Sequence, residues 1–189
     1  MSQPRKVAVV VGSLRKDSFT RKVARAIEAL APKTLSFEEV PIGDLPLYDQ
    51  DSEAQPPQAY VDFRNRIRAA DAVLFATPEY NRSVPGGLKN AIDVGSRPYG
   101  QSSWDGKPAA VVSVSPGAIG AFGANHHLRQ SLVFLNMPVL QQPEAYVGNA
   151  ANLFNEKGEV ANEGTAEFLR SIAAAFAAWI DKVLAEEGA

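Results

Sequence analysis

Residues 12–20 read GSLRKDSFT, and four cations, Arg15, Lys16, Arg21 and Lys22, crowd this stretch where a helix begins. The N-terminal end of a helix carries roughly half a positive charge, so basic side chains there are unfavourable unless an anion shares the site. The stretch offers ligands for one. Gly12 permits a tight turn, Ser13, Ser18 and Thr20 carry hydroxyls, and Arg15 can add a charge-assisted contact. The free N–H groups of the helix end complete an anion site, and Ser18 also suits the N-cap. The spacing is neither G-x-x-x-x-G-K-[ST] nor G-x-G-x-x-G, so a phosphomonoester fits better than a pyrophosphate. The plainer reading of the same residues is a capped helix whose cations face water.

Two further segments can act with this one. TPEYNRSVPGGLKNAID (residues 77–93) holds two prolines and two glycines, which rigidify a turn and let backbone approach a ligand closely. A flat heterocycle needs that geometry at its edge. SPGAIGAFG (residues 115–123) is a third loop of small residues. Other chemistries find little support. There is no cysteine, which removes disulfides, thiol catalysis and thiolate metal sites. The two histidines, His126 and His127, are sequence neighbours. On a helix they point about 100° apart, a poor metal pair, so no metal site is expected. No G-x-S-x-G nucleophile elbow is present. Glu79, at the head of a Pro-flanked turn, is expected to hydrogen-bond locally or to face a neighbouring subunit.

The elements that must position these loops follow from the pattern. VAVVVG (residues 7–12), AVLFAT (72–77) and PAAVVSVS (108–115) are apolar runs that read as strands buried on both faces, and TLSFEEV (34–40) as a strand near an edge. PVLQQ (138–142) reads as a short fifth strand. Helices are marked by Phe19, Val23, Ile27 and Leu30; by Tyr60, Phe63, Ile67 and Ala70; by residues 86–94; by Leu128, Leu132 and Leu135; and by Phe168, Ile172, Phe176 and Ile180 in a last helix over about 165–186. A long Pro- and acid-rich connection, residues 41–58, lies between the second strand and second helix. The alternation of strand and helix predicts a flavodoxin-like α/β fold. Its parallel sheet has order 2-1-3-4-5 with helices on both faces, in one domain over residues 1–189. Ligands in such sheets bind beyond the C-terminal strand ends, where all three loops fall.

With 189 residues, 46% apolar and 21% charged, the chain has the composition of a globular protein, and a net charge of −2 gives no field toward nucleic acid or membrane. No apolar run reaches the roughly 18–20 residues that span a bilayer. The start, MSQPRKVAVVVGS, lacks a signal peptide's length and cleavage site, so a cytoplasmic location is the expectation.

GSLRKDSF, followed about sixty residues later by PEYNRSVPGGLKNAID, resembles the NADPH-dependent FMN reductase family, and within it the bacterial quinone and chromate reductases. The likeness extends to LPLYD (45–49), SRP (96–98), HHLRQSLVFL (126–135) and QPE (142–144), and so covers most of the chain. The resemblance implies bound FMN, with its phosphate held by Ser13, Arg15, Ser18, Phe19 and Thr20. It implies an isoalloxazine lined by Pro78, Glu79, Tyr80 and Asn81 and closed by Ser115 and Gly117. Asn81 and Arg97 match the family's anion-binding pair beside the exposed flavin face. There are departures: Thr20 stands where many relatives have Asn, Arg82 sits at a variable position and adds charge at the mouth, and Val94 replaces a common Trp.

The implied activity is NADPH or NADH oxidation through FMN, with two electrons passed to quinones or to other acceptors such as chromate. Arg82, Asn81 and Arg97 are the candidate substrate contacts, and no protein residue is required as a catalyst. The resemblance also implies homodimers, often paired into homotetramers. Phe134 and Val133, apolar but off the Leu128 face, fit contact with another chain, and Arg129 and Glu144 are candidates for polar contacts there. Two other classes stay open: a flavodoxin-type electron carrier and a non-catalytic flavodoxin-like binding module.

Overall fold

The computed structural model describes residues 3–187. Its strands are β1 (Arg5–Val11), β2 (Leu35–Glu39), β3 (Ala72–Thr77), β4 (Ala109–Val114) and β5 (Ala145–Val147). Its α-helices are α1 (Phe19–Leu30), α2 (Gln58–Arg68), α3 (Gly86–Gly95), α4 (Phe122–Phe134) and α5 (Glu163–Glu187). All strand pairs are parallel and the sheet order is β2-β1-β3-β4-β5, the flavodoxin-like arrangement. β3 and β4 are buried along their whole length, because helices cover both faces.

Side-chain alternation divides the strands between two cores. Val7, Val9, Val11, Leu74, Ala76 and Val112 face α1 and α5. Ala8, Val10, Val73, Phe75 and Val111 face α2, α3 and α4, with Trp104 wholly buried among them. The sheet therefore acts as a stiff plate whose strand ends fix where each following loop starts.

Two sequence expectations need correction. The fifth strand is Ala145–Val147, whereas residues 138–142 contribute only an isolated bridge from Val139 to Ala109. Proline explains this. Pro138 and Pro143 have no N–H to offer a ladder, and the Pro138 carbonyl is taken by Ala109 N and the Trp179 indole. In α5, Phe168 is 37% exposed while Leu169 is fully buried beside Ile172, Ala173, Phe176 and Ile180. A strict four-residue repeat drifts about 40° per step around a helix, so Phe168 and Ile180 cannot share one face.

The long connection is pinned down rather than loose. The Asn90 side-chain oxygen accepts from Tyr48 N at 2.8 Å, and its amide donates to Pro46 O at 2.8 Å. The Tyr60 hydroxyl donates to Leu47 O at 2.7 Å, and the buried Arg64 guanidinium bonds Glu53 at 2.7 Å and Val94 O at 2.8 Å. Among the described residues no helix is long and apolar enough to cross a membrane.

Candidate functional site: three loops at the carboxyl edge of the sheet

The first loop leaves β1 through Gly12, whose backbone is not left-handed; a Cβ there would meet Leu88 Cδ2 at 3.0 Å and Pro78 Cδ at 3.3 Å. Gly12 thus serves close packing of β1 against α3 and the second loop, not the turn that the sequence suggests. Ser18 caps α1 as expected, its Oγ accepting from Arg21 N at 3.2 Å. The cation cluster resolves into separate tasks. Arg21 braces the loop from beneath: its guanidinium donates to Ser13 O at 3.1 Å, to Arg15 O at 2.9 Å and to Glu39 at 2.9 Å. Lys22 lies 5.7 Å from the Phe19 ring centroid. Arg15 is left for the cavity.

That cavity, of about 130 Å³, is walled by Ser13, Arg15, Ser18, Phe19 and Thr20 from the first loop. Pro78, Glu79 and Tyr80 come from the second loop, and Val114, Ser115 and Pro116 from the third. A second hollow of about 320 Å³ shares Arg15 and Tyr80 with it and adds Gly12, Leu14, Pro85, Gly86 and Gly87. Most of the residues expected to hold a cofactor therefore meet. Asn81 and Gly117 do not line the first cavity; both are exposed. Gly117 N donates to Ser115 Oγ at 3.1 Å, and Asn81 lies at the tip of a turn.

The second loop is a tight hairpin turn. Tyr80 and Ser83 exchange backbone bonds of 2.9 and 3.0 Å, and the residues between them, Asn81 and Arg82, have φ of 52° and 65°. Glu79 makes the expected local bond, to Arg82, and a distant one that fixes the turn to α4. One carboxylate oxygen accepts from Ala124 N at 3.0 Å and the other from Arg82 at 3.2 Å. The negative carboxylate at the start of α4 also suits that helix end. Gly123 is required for this docking, since a Cβ would come within 2.9 Å of both Arg82 O and Glu79 Oε2. The third loop hangs on β5: Ser115 N donates to Val147 O, Ala150 N donates to Ser115 O, and Gly120 packs on the Tyr146 backbone.

Beside the third loop, the Tyr146 hydroxyl donates to Glu144 at 2.8 Å and lies 3.0 Å from His126 Nε2. Burial, followed by the bond to the Glu144 carboxylate, pushes Tyr146 up to about 12. Arg129 donates to Asn125 at 2.8 Å and to Leu140 O at 2.9 Å, and burial lowers its pKa. These bonds lie within the chain, so Arg129 braces α4 against the segment after it.

Arg97 stands elsewhere. It lines a groove of about 760 Å³ between α3 and α4, with Ser83 and Gly86 at one end and Phe134 along its wall. Arg97 follows the C-terminus of α3, whose 10 residues span about 15 Å. Asn81 and Arg97 thus share no cavity within one chain. Val94 is wholly buried in the core, so its replacement of Trp does not reshape a pocket wall.

FMN fits the first cavity on the evidence of its hydroxyls. Ser13 and Thr20 are 4% and 3% exposed, yet neither hydroxyl has a hydrogen-bond partner within the described residues, and both line the hollow beside Arg15. Neither oxygen is sealed away from the hollow, so both are free to bond a phosphate there.

Sequence reasoning missed Arg21 as a brace, Gly123 as a docking point, and Leu14, Pro85 and Gly87 as lining.

A parallel sheet of this order, with three loops meeting at its carboxyl edge, has the flavodoxin-like architecture. The model of the NADPH-dependent FMN reductase family matches residues 5–152, and the chain belongs to that family. It is 65% identical over 181 residues to a quinone reductase of Pseudomonas putida, covering 95% of this chain and 97% of that one. It is 46% identical over 175 residues to a 2-hydroxy-1,4-benzoquinone reductase of Burkholderia sp, covering 93% and 96%. Among solved structures, FerB, a flavoenzyme NAD(P)H:(acceptor) oxidoreductase from Paracoccus denitrificans, superposes with a TM-score of 0.89 at 47% identity, covering 94% and 98%. FMN is therefore the cofactor and NAD(P)H the co-substrate.

Proposed function

We propose that this chain is an NAD(P)H-dependent quinone reductase that works through bound FMN. The observation that carries the reading is the three-loop cavity, on which the unpartnered hydroxyls of Ser13 and Thr20 open. Ser13, Ser18, Thr20 and Arg15 hold the phosphate, together with the N–H groups at the start of α1. Pro78 to Asn81 on one side and Ser115 to Gly117 on the other flank the ring. When bound, FMN supplies hydride acceptance from nicotinamide and two-electron delivery to an acceptor. The protein's part is to fix the ring, keep Glu79 occupied by Ala124 and Arg82, and place cations near the mouth.

Chromate is a further acceptor under this reading, since an exposed flavin is sparing in its demands and Arg82 and Arg97 favour anions. The α3–α4 groove, lined by Phe134, 87% exposed, with Lys89, Asp93 and Arg97, supports a homodimer. A two-fold pairing that sets α3 antiparallel to its copy carries Arg97 of one chain to the Asn81 end of the other. The anion pair is then completed across the interface.

The test is direct. The purified protein should show a flavin spectrum, bleach anaerobically with NADPH or NADH, and oxidise it steadily with benzoquinone. A protein that takes up no FMN would end this reading. One that binds FMN but turns over no nicotinamide would be a flavodoxin-type carrier.

A further inference from the structure

The turn from Tyr80 to Ser83 forms a ridge between two hollows: Tyr80 lines the flavin cavity and Ser83 lines the α3–α4 groove. At its tip Asn81 and Arg82 both take left-handed backbone. Hairpin turns with two left-handed central residues strongly favour glycine in second place, because a Cβ there crowds the following carbonyl. Arg82 occupies that place with φ 65°. The fold holds it there with the two Tyr80–Ser83 bonds, with Glu79, and with Ser83 Oγ 3.0 Å from His127 Nδ1. Backbone strain retained at the rim of a site marks a side chain worth testing for a role.

The side chain has the chemistry for one. Arg82 is 75% exposed, and its single ion pair runs to Glu79, whose own side chain is 14% exposed and lines the flavin cavity. The guanidinium therefore stands one carboxylate away from the cavity wall. That contact uses one of five N–H donors. The Arg82 end of the pair stands in solvent and has donors to spare, so an arriving anion can share the guanidinium with Glu79. The planar fork suits a carboxylate or sulfonate.

We infer that Arg82 is a specificity residue that selects anionic aromatic acceptors, namely quinones bearing a carboxylate or sulfonate. It engages the acid group from the ridge while the ring approaches the flavin face. The inference rests on the flavin reading above and gives that site a substrate class.

The experiment compares two acceptors of one ring system, 1,2-naphthoquinone and 1,2-naphthoquinone-4-sulfonate, on the FMN-loaded protein at low salt. The ratio of kcat/KM, sulfonated over neutral, should fall about fivefold in Arg82→Gly. Arg82→Lys should keep much of the preference. Added salt should erode the ratio in the unmodified protein more steeply than in Arg82→Gly, a difference that a merely structural role would not give. An unchanged ratio in Arg82→Gly, with turnover of both quinones intact, overturns this inference alone. Absence of turnover with both quinones in the unmodified protein brings down the quinone-reductase reading, and this inference with it.

Discussion

The first and second loops both bend the chain at the same end of the sheet, but they are built in opposite ways. Residues 12–20 are braced from below by Arg21, capped by Ser18, and keep two unpaired hydroxyls on the wall of a hollow. The turn at 80–83 is exposed at its tip, strained at Arg82, and tied to the rest of the fold chiefly through one carboxylate, Glu79. A permanently held group calls for a cradle ordered in advance, because every side chain frozen on binding weakens it. A varied acceptor is better met by charges on a rim. The contrast assigns cofactor retention to the first loop and acceptor choice to the second.

Four substitutions break or sharpen that contrast. Arg15→Ala removes the one cation turned to the phosphate hollow and should weaken FMN binding by about 2 kcal/mol, roughly thirtyfold. Fluorescence titration of the apoprotein measures it, and undiminished affinity would strip the first loop of its role. Arg21→Ala removes three bonds that shape the same loop and should cost about 1–2 kcal/mol of stability in denaturant unfolding. A smaller loss of flavin affinity should accompany it. Arg82→Gly should act in the other direction, raising stability by about 1 kcal/mol as the strain disappears. A loss of stability there would mean that the ion pair to Glu79 outweighs the backbone term. The effect that is smallest at neutral pH concerns Tyr146, beside the third loop. Its pKa is raised from 10 to about 12, so the folded state keeps the phenol protonated where the unfolded chain releases it. This contribution is complete below pH 10 and is lost as pH climbs from 10 to 12. Tyr146→Phe should flatten that stretch of the stability profile in alkaline unfolding.

Much of this arrangement was legible in the residues themselves. The apolar runs of β1, β3 and β4 announce double-sided burial, and Ser18 three residues before Arg21 announces a cap. The three loops follow from strand order alone. What escaped depends on contacts distant in sequence. Nothing near Arg21 shows that Glu39 will sit beside it, and nothing near Gly123 shows that Glu79 will come within reach. The fifth strand was misplaced because PVLQQ has the right residues, but Pro138 and Pro143 withhold the N–H groups a ladder needs. Arg97 was paired with Asn81 by likeness, yet the length of α3 separates them in a single chain.

The 25-residue α5 has a bearing on how the molecule is made. It follows every strand in the chain, yet Leu169, Ile172, Phe176 and Ile180 supply much of the cover for one whole face of the sheet. During synthesis, the segments destined to grip the flavin emerge well before that cover exists, and the valines of β1 and β4 wait half-bare. Chains interrupted ahead of residue 163 should therefore clump on the ribosome's doorstep, however sound their cofactor loops.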